Sequence, residues 1–410
     1  MKFPKKKPNH FKEKQKKDTR KVLSFEELPL EEYEKEQEPV KLKLDKKKIL
    51  IAVGILVVLV VCVLLFFNRG VLFSCVGNAK GTEFSKAISG STVEAGNFDT
   101  FSKGVAYVSD TSFEYLSRNG EEVYKEQLKF STPMLKVSES AAIAYDLGGE
   151  GFAIFSDDRL MYRGEAEDDI YLADISSDFS YALVTDVNGF NAKLSVYSPN
   201  HQLRYTYSFS DFYITSFALN DKATEAVVCG ATAENGSEKS AVYVIDFRKE
   251  EPKSVKNVTE DILFDCEYLG SNSVCAIGSR GVYFLKGKDA GKYHSKSFDK
   301  MTLTAYDFNC DIGEVALSLS RSGDGRNCNV IFVNSSAEVE SVIETNLKIT
   351  SLSSFKNRVA LLDTDTLYVY NQNGDELSKE IVATNCKQVL MHSNGAQYVL
   401  GVDEIYHLTQ

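Results

Sequence analysis

Histidine occurs only five times in these 410 residues, tryptophan not at all, and no two of the eight cysteines stand at C-x-x-C spacing. Each scarcity removes a class of chemistry. His201, His294, His392 and His407 form no H-x-H and no pair at helical metal-ligand spacing, so a histidine metal centre is not expected. Without C-x-x-C, the cysteines offer neither a zinc site nor a dithiol redox motif. Cys75, Cys229, Cys266, Cys275, Cys310, Cys328 and Cys386 read instead as small apolar residues, in a chain large enough to hold together without staples. A G-x-S-x-G elbow, a phosphate-cradling glycine loop and a G-x-G-x-x-G turn before a helix are also missing. No catalytic, cofactor-binding or metal-ligating residue is expected. The stretch Asn371-Gln372-Asn373-Gly374-Asp375-Glu376 lacks the length and flanking helices of a calcium loop and reads as a hairpin turn.

Charge is missing from one long run. Ile49–Phe67 has no charged residue and no proline, and at about 1.5 Å per residue it spans roughly the hydrocarbon core of a bilayer. Only a helix satisfies its own backbone there. A cleaved signal peptide fits less well, because the run follows a 48-residue leader and exceeds the apolar core of about 7–15 residues such peptides carry. Lys41, Lys43, Lys46, Lys47 and Lys48 precede the run, while only Arg69 and Lys80 follow closely. Basic flanks stay cytoplasmic. The expectation is a single-pass protein of the cell membrane, N-terminus inside, with lipid as partner through Ile49–Phe67.

The two sides differ in charge. Residues 1–48 hold 16 Lys+Arg against 10 Asp+Glu, which leaves 31 basic and 48 acidic residues in the remainder. So charged and aromatic-poor a tail predicts a disordered cytoplasmic segment. Its basic end suits an anionic inner leaflet, at about 1 kcal/mol per basic residue near the surface. Nucleic acid is not an expected partner of a tethered, acidic protein. Residues 68–83 follow as a juxtamembrane linker, and 84–410 as the extracytoplasmic domain.

That domain repeats. Eight seven-residue segments share a small or polar start, four mostly apolar residues and a polar or small end: GVAYVSD from Gly104, SAAIAYD from Ser140, SYALVTD from Ser180, EAVVCGA from Glu225, SVCAIGS from Ser273, EVALSLS from Glu314, RVALLDT from Arg358 and QYVLGVD from Gln397. Their starts lie 36, 40, 45, 48, 41, 44 and 39 residues apart. An aromatic-rich strand follows most copies, such as Gly281–Leu285 and Thr366–Tyr370, and then a polar turn such as Asn371–Asp375. Four strands per 40–45 residues is the pattern of a propeller blade. The fold class expected is all-β, an eight-bladed β-propeller with seven blades as the alternative. The last copy has only three strands, and Phe84–Val93 is placed to supply the fourth and close the ring.

The single helix, short tail and repeats such as RVALLDTDTLYVYNQNGDEL resemble a bacterial group of membrane-anchored propellers of unknown function. The resemblance covers residues 49–410. The repeats are also similar to WD-repeat and quinoprotein-like propellers, though the Gly-His and Trp-Asp marks of the former are absent. Quinoprotein dehydrogenases would place tryptophan at the cofactor and in the repeats, and a chain without tryptophan does not fit that class.

What remains is a binding surface. The loops after the repeated strand are longest at Leu147–Gly151, Val187–Lys193, Thr232–Ser240 and Arg321–Cys328, on the side of the links between blades. Two links are acidic, one with Glu165, Glu167, Asp168 and Asp169, another with Glu260 and Asp261. These six are the candidate binding residues. The reading is a non-enzymatic binding or scaffold module for an unidentified envelope protein or polymer. The alternative is a hydrolase or other enzyme with its site in the central channel, which clustered carboxylates of perturbed pKa would support.

Overall fold

The repeated segment becomes the second strand of a four-stranded antiparallel sheet, eight times over. A computed structural model of the chain describes residues 82–408, apart from Ser91, Asn272, Lys288 and Asp289. The expected cytoplasmic tail, the transmembrane helix and residues 68–81 of the linker lie outside the described residues. Among those described, no helix is long and apolar enough to cross a membrane.

Blades 1 to 7 are simple meanders over 98–127, 133–165, 170–209, 213–259, 263–297, 302–344 and 349–381. Their first strands lie innermost and meet around the ring. The repeated second strands are buried on both faces, as in Gly104–Val108, Tyr181–Thr185 and Ser273–Gly278. That explains their continuous apolar run where a half-exposed strand would alternate. Outermost strands do alternate, half-buried and exposed by turns, as in Leu160–Glu165 and along most of Lys292–Ser297.

Eight hydrophobic clusters hold the ring, one in each seam between neighbouring blades. Each sheet buries one face forward and one backward, so no blade has a core of its own.

Closure settles the blade count at eight. Blade 8 takes three strands from the C-terminal end, Gln388–Met391, Gln397–Leu400 and Glu404–Leu408, and its outer strand from Thr82–Ala87. The closing strand thus starts two residues before the expected Phe84 and ends at Ala87. Just beyond it, the Ser89 amide donates to the Tyr107 hydroxyl of blade 1 at 3.1 Å. The Phe84 ring lies tilted against His407, centroids 4.9 Å apart, and a Cβ on Gly120 of blade 1 would lie 2.6 Å from it. One strand therefore ties the last blade to the first.

Candidate functional site

In a meander, turns after the second strand share a face with the links between blades; turns after the first and third strands lie on the other. All four long turns named from sequence follow second strands, so they fall on this link face. One of them is not a loop. Thr232–Ser240 is the extended end of a hairpin whose strands, Glu225–Glu234 and Ser237–Asp246, are each ten residues long. They pair to the last residue around Asn235-Gly236, both at positive φ, the conformation a tight hairpin turn requires. A comparably long turn, 247–253, lies on the opposite face.

The link of residues 165–169 is stitched to its neighbours. Ala166 N donates to Glu150 O at 2.8 Å and Asp186 N to Asp169 O at 2.9 Å. This draws Glu165, Glu167, Asp168 and Asp169 together with Glu150 and Asp186, which sequence reading did not single out. All but Asp168 are exposed, and Asp168 is half-buried. Lys193 opposes them, 3.6 Å from Glu167 and 3.5 Å from Asp168. Apolar Leu147 and Phe190 are exposed on the adjoining turns, at 39% and 49%.

Glu260 is exposed two blades' width away, its amide donating to Glu238 O at 2.9 Å. The two acidic links share a face but do not merge. Asp261 departs from the expectation of a surface charge: it is 1% exposed. Its carboxylate accepts from Ser279 Oγ at 2.8 Å, the Arg280 amide at 3.0 Å and Tyr283 Oη at 2.6 Å. A Cβ on Gly278 would sit 2.4 Å from Asp261 Oδ2, so the carboxylate lies flush on the second strand. Asp261 pins its link to blade 5 and presents nothing to a partner.

At the link end of the channel, five inner strands carry a bulge at Tyr171, Thr215, Phe264, Thr304 and Thr350. Bulges re-aim side chains. The three threonines donate to carbonyls of the adjoining second strand, while Tyr171 and Phe264 are left exposed at 39% and 37%. Burial, and then the carboxylates of Asp186 and Asp169, raise the Tyr171 phenol, which places the acidic link beside it. Phe264, Leu303, Tyr306 and Lys387 help to line a cavity of about 430 Å³ at this mouth.

Deeper, one position per inner strand pairs with a second-strand residue that faces the next seam. These positions are Asp99, Lys136, Asp174, Ala218, Glu267, Asp307, Ser353 and Leu390. Burial raises Asp99 to about 6 despite the Thr100 amide, Asp307 to about 7 despite Ser354, and Glu267 to about 8 with help from Asp174. Burial pulls the Lys136 ammonium down, but Asp265, Asp174 and Glu267 outweigh it and raise its pKa.

Several of these acceptors have a structural task. Asp174 Oδ2 accepts the Leu219 amide at 2.7 Å, Asp307 the Ser354 amide, and Ser353 Oγ the Met391 amide at 3.0 Å. In each case the partner lies one position further along the next inner strand. Asn97 with Leu135 and Ser351 with Val389 repeat the offset. Sequence reading missed this set, because turns of variable length separate it from the repeat. Among the described residues, no three His, Cys, Asp or Glu side chains are arranged to hold a metal ion.

The architecture is that of known propellers. BamB from Moraxella catarrhalis is similar at a TM-score of 0.54 and 11% identity, covering 81% of this chain and 100% of its own. The β-propeller domain of Cps50 (Swd1) from Myceliophteria thermophila reaches a TM-score of 0.47 at 10% identity, covering 70% and 99%. At 11% identity the likeness to BamB is one of fold alone. No curated protein matches the chain by sequence. A family model does match, over residues 78–405, and the chain belongs to that family, the family of unknown function DUF5711.

Proposed function

We propose that this chain is a membrane-tethered extracytoplasmic binding or scaffold module that receives its partner on the link face of the propeller. One observation carries the reading. Thr82 pairs with Leu408 and Ala87 with Glu404, so the chain enters the ring at the face opposite the link face. On this reading the tether joins the propeller through that entry point rather than through the link face. Exposed Leu147, Phe190 and Tyr171 beside Glu165, Glu167 and Asp169 give that face an apolar and acidic character, suited to a basic partner.

A second reading, an enzyme with its site in the channel, draws on the raised carboxylates of Asp99, Glu267 and Asp307. Asp307 and Asp174 already hold backbone amides, and structural networks perturb pKa values too. Binding is the stronger reading.

The test is site-specific photo-crosslinking in intact cells, with the crosslinker at Phe190 on the link face or at Asn200 on the opposite one. Adducts are expected from Phe190. They should diminish with rising salt and on combining Glu165→Gln, Glu167→Gln, Asp168→Asn and Asp169→Asn. Adducts from Asn200 alone would assign binding to the wrong face and overturn the proposal.

A further inference from the structure

Two thiols meet in the seam between blades 4 and 5. Cys229 lies on the second strand of blade 4, Glu225–Glu234, and Cys266 on the inner strand of blade 5, Leu263–Tyr268. They are 0% and 2% exposed and share one hydrophobic cluster with Val227, Val242 and Val274. Each reaches the backbone beside the other: Cys229 Sγ is 4.0 Å from Asp265 O, and Cys266 Sγ is 3.8 Å from Val227 O. Cys328 and Cys386 sit in other seams, and Cys275 faces away, into the seam with blade 6.

We propose that Cys229 and Cys266 are a disulfide-forming pair that staples blade 4 to blade 5. The reaction is thiol–disulfide exchange with a low-molecular-weight disulfide. One cysteine gives its proton to solvent, and its thiolate attacks the oxidant, forming a mixed disulfide and releasing one thiolate. The second cysteine, likewise deprotonated, displaces the other. Two protein thiols become one S–S bond, and the two electrons leave in two reduced oxidant thiols.

Timing follows from burial. Burial, and then the neighbouring Cys229 thiol, hold the Cys266 thiol well above its usual range, and a protonated thiol is a poor nucleophile. Exchange therefore occurs while the seam assembles. Once formed, the bond is shielded from reductant by the same core.

The full-length protein, reduced and denatured, would be refolded in glutathione and glutathione disulfide, then alkylated under denaturing conditions and digested. The expected result is the loss of two alkylatable thiols and a linked peptide pair containing Cys229 and Cys266, two hydrogens lighter than its parts. Cys275→Ala should keep that pair, and Cys229→Ser should abolish it. A second arm treats the already folded protein with diamide near its melting temperature, and so does not depend on refolding. Retention of both thiols in both arms, or linkage through other cysteines, would overturn the proposal.

Discussion

Every inner strand of the ring is a sheet edge, and amides on that edge need acceptors when they are withdrawn from water. Asp307 supplies one for Ser354, and Ser354 Oγ also donates to it at 3.1 Å. Asp307→Ala would strand the amide, at a cost of about 1–3 kcal/mol. Asp307→Asn keeps an acceptor oxygen and removes a charge that burial disfavours. Thermal unfolding at neutral pH should show the alanine variant well below wild type and the asparagine variant close to it. Equal losses in both would mean that the charge, rather than the acceptor, does the holding. At this scale the sequence was least legible. Asp261 and Glu260 are neighbours of one type, yet one is interior and one is surface. Only Gly278, which leaves room for the Asp261 carboxylate, separates them, and it stands 17 residues away.

Elements were more legible because a strand buried on both faces cannot vary freely. All eight repeated segments are second strands, and the turn at Asn371–Asp375 closes as read, Asn371 N donating to Asp375 O at 3.0 Å. Thr232–Ser240 was misread because polar residues at Glu234, Ser237 and Glu238 look like loop. There the two strands of the hairpin run on beyond the buried body of the blade, so their ends pair with each other while their side chains face solvent. The closing strand makes the sharpest test at this scale. A chain beginning at Gly96 loses Thr82–Ala87 and leaves the strand Glu404–Leu408 as an open edge. It also uncovers the cluster containing Tyr398 and Ile405, against which Phe84 and Ile88 pack. Compared with a chain beginning at Asn78, it should aggregate or melt markedly earlier. Coincident melting curves would show that the strand is dispensable to the ring.

For the whole molecule, the channel sets how stability responds to pH. Asp99, Asp307 and Glu267 have folded-state pKa values raised to about 6, 7 and 8, above the ordinary 3.8 and 4.5 of their side chains. Between the ordinary and raised values the folded ring binds protons that the unfolded chain has released. Raising pH through that window therefore favours unfolding. Asp246 works the other way, held down to about 2 chiefly by its hydrogen bond from Arg248. Its contribution is present above its ordinary value and lost as pH falls toward 2. The two trends place the stability maximum on the acidic side of neutrality, with a decline from about pH 5 to pH 8, within the range where proteins usually peak. Water in the channel screens the carboxylates, which are half-buried rather than sealed, so the slope should be gentle. Combining Asp99→Asn with Glu267→Gln removes two of the titrating groups without touching the amide held by Asp307, and should flatten the profile above pH 5. A wild-type melting temperature that rises steadily from pH 5 to pH 8 would mean that these carboxylates stay charged in the folded ring. The channel would then hold a charged acidic lining facing Lys136 throughout that range, instead of one that takes up protons as pH falls.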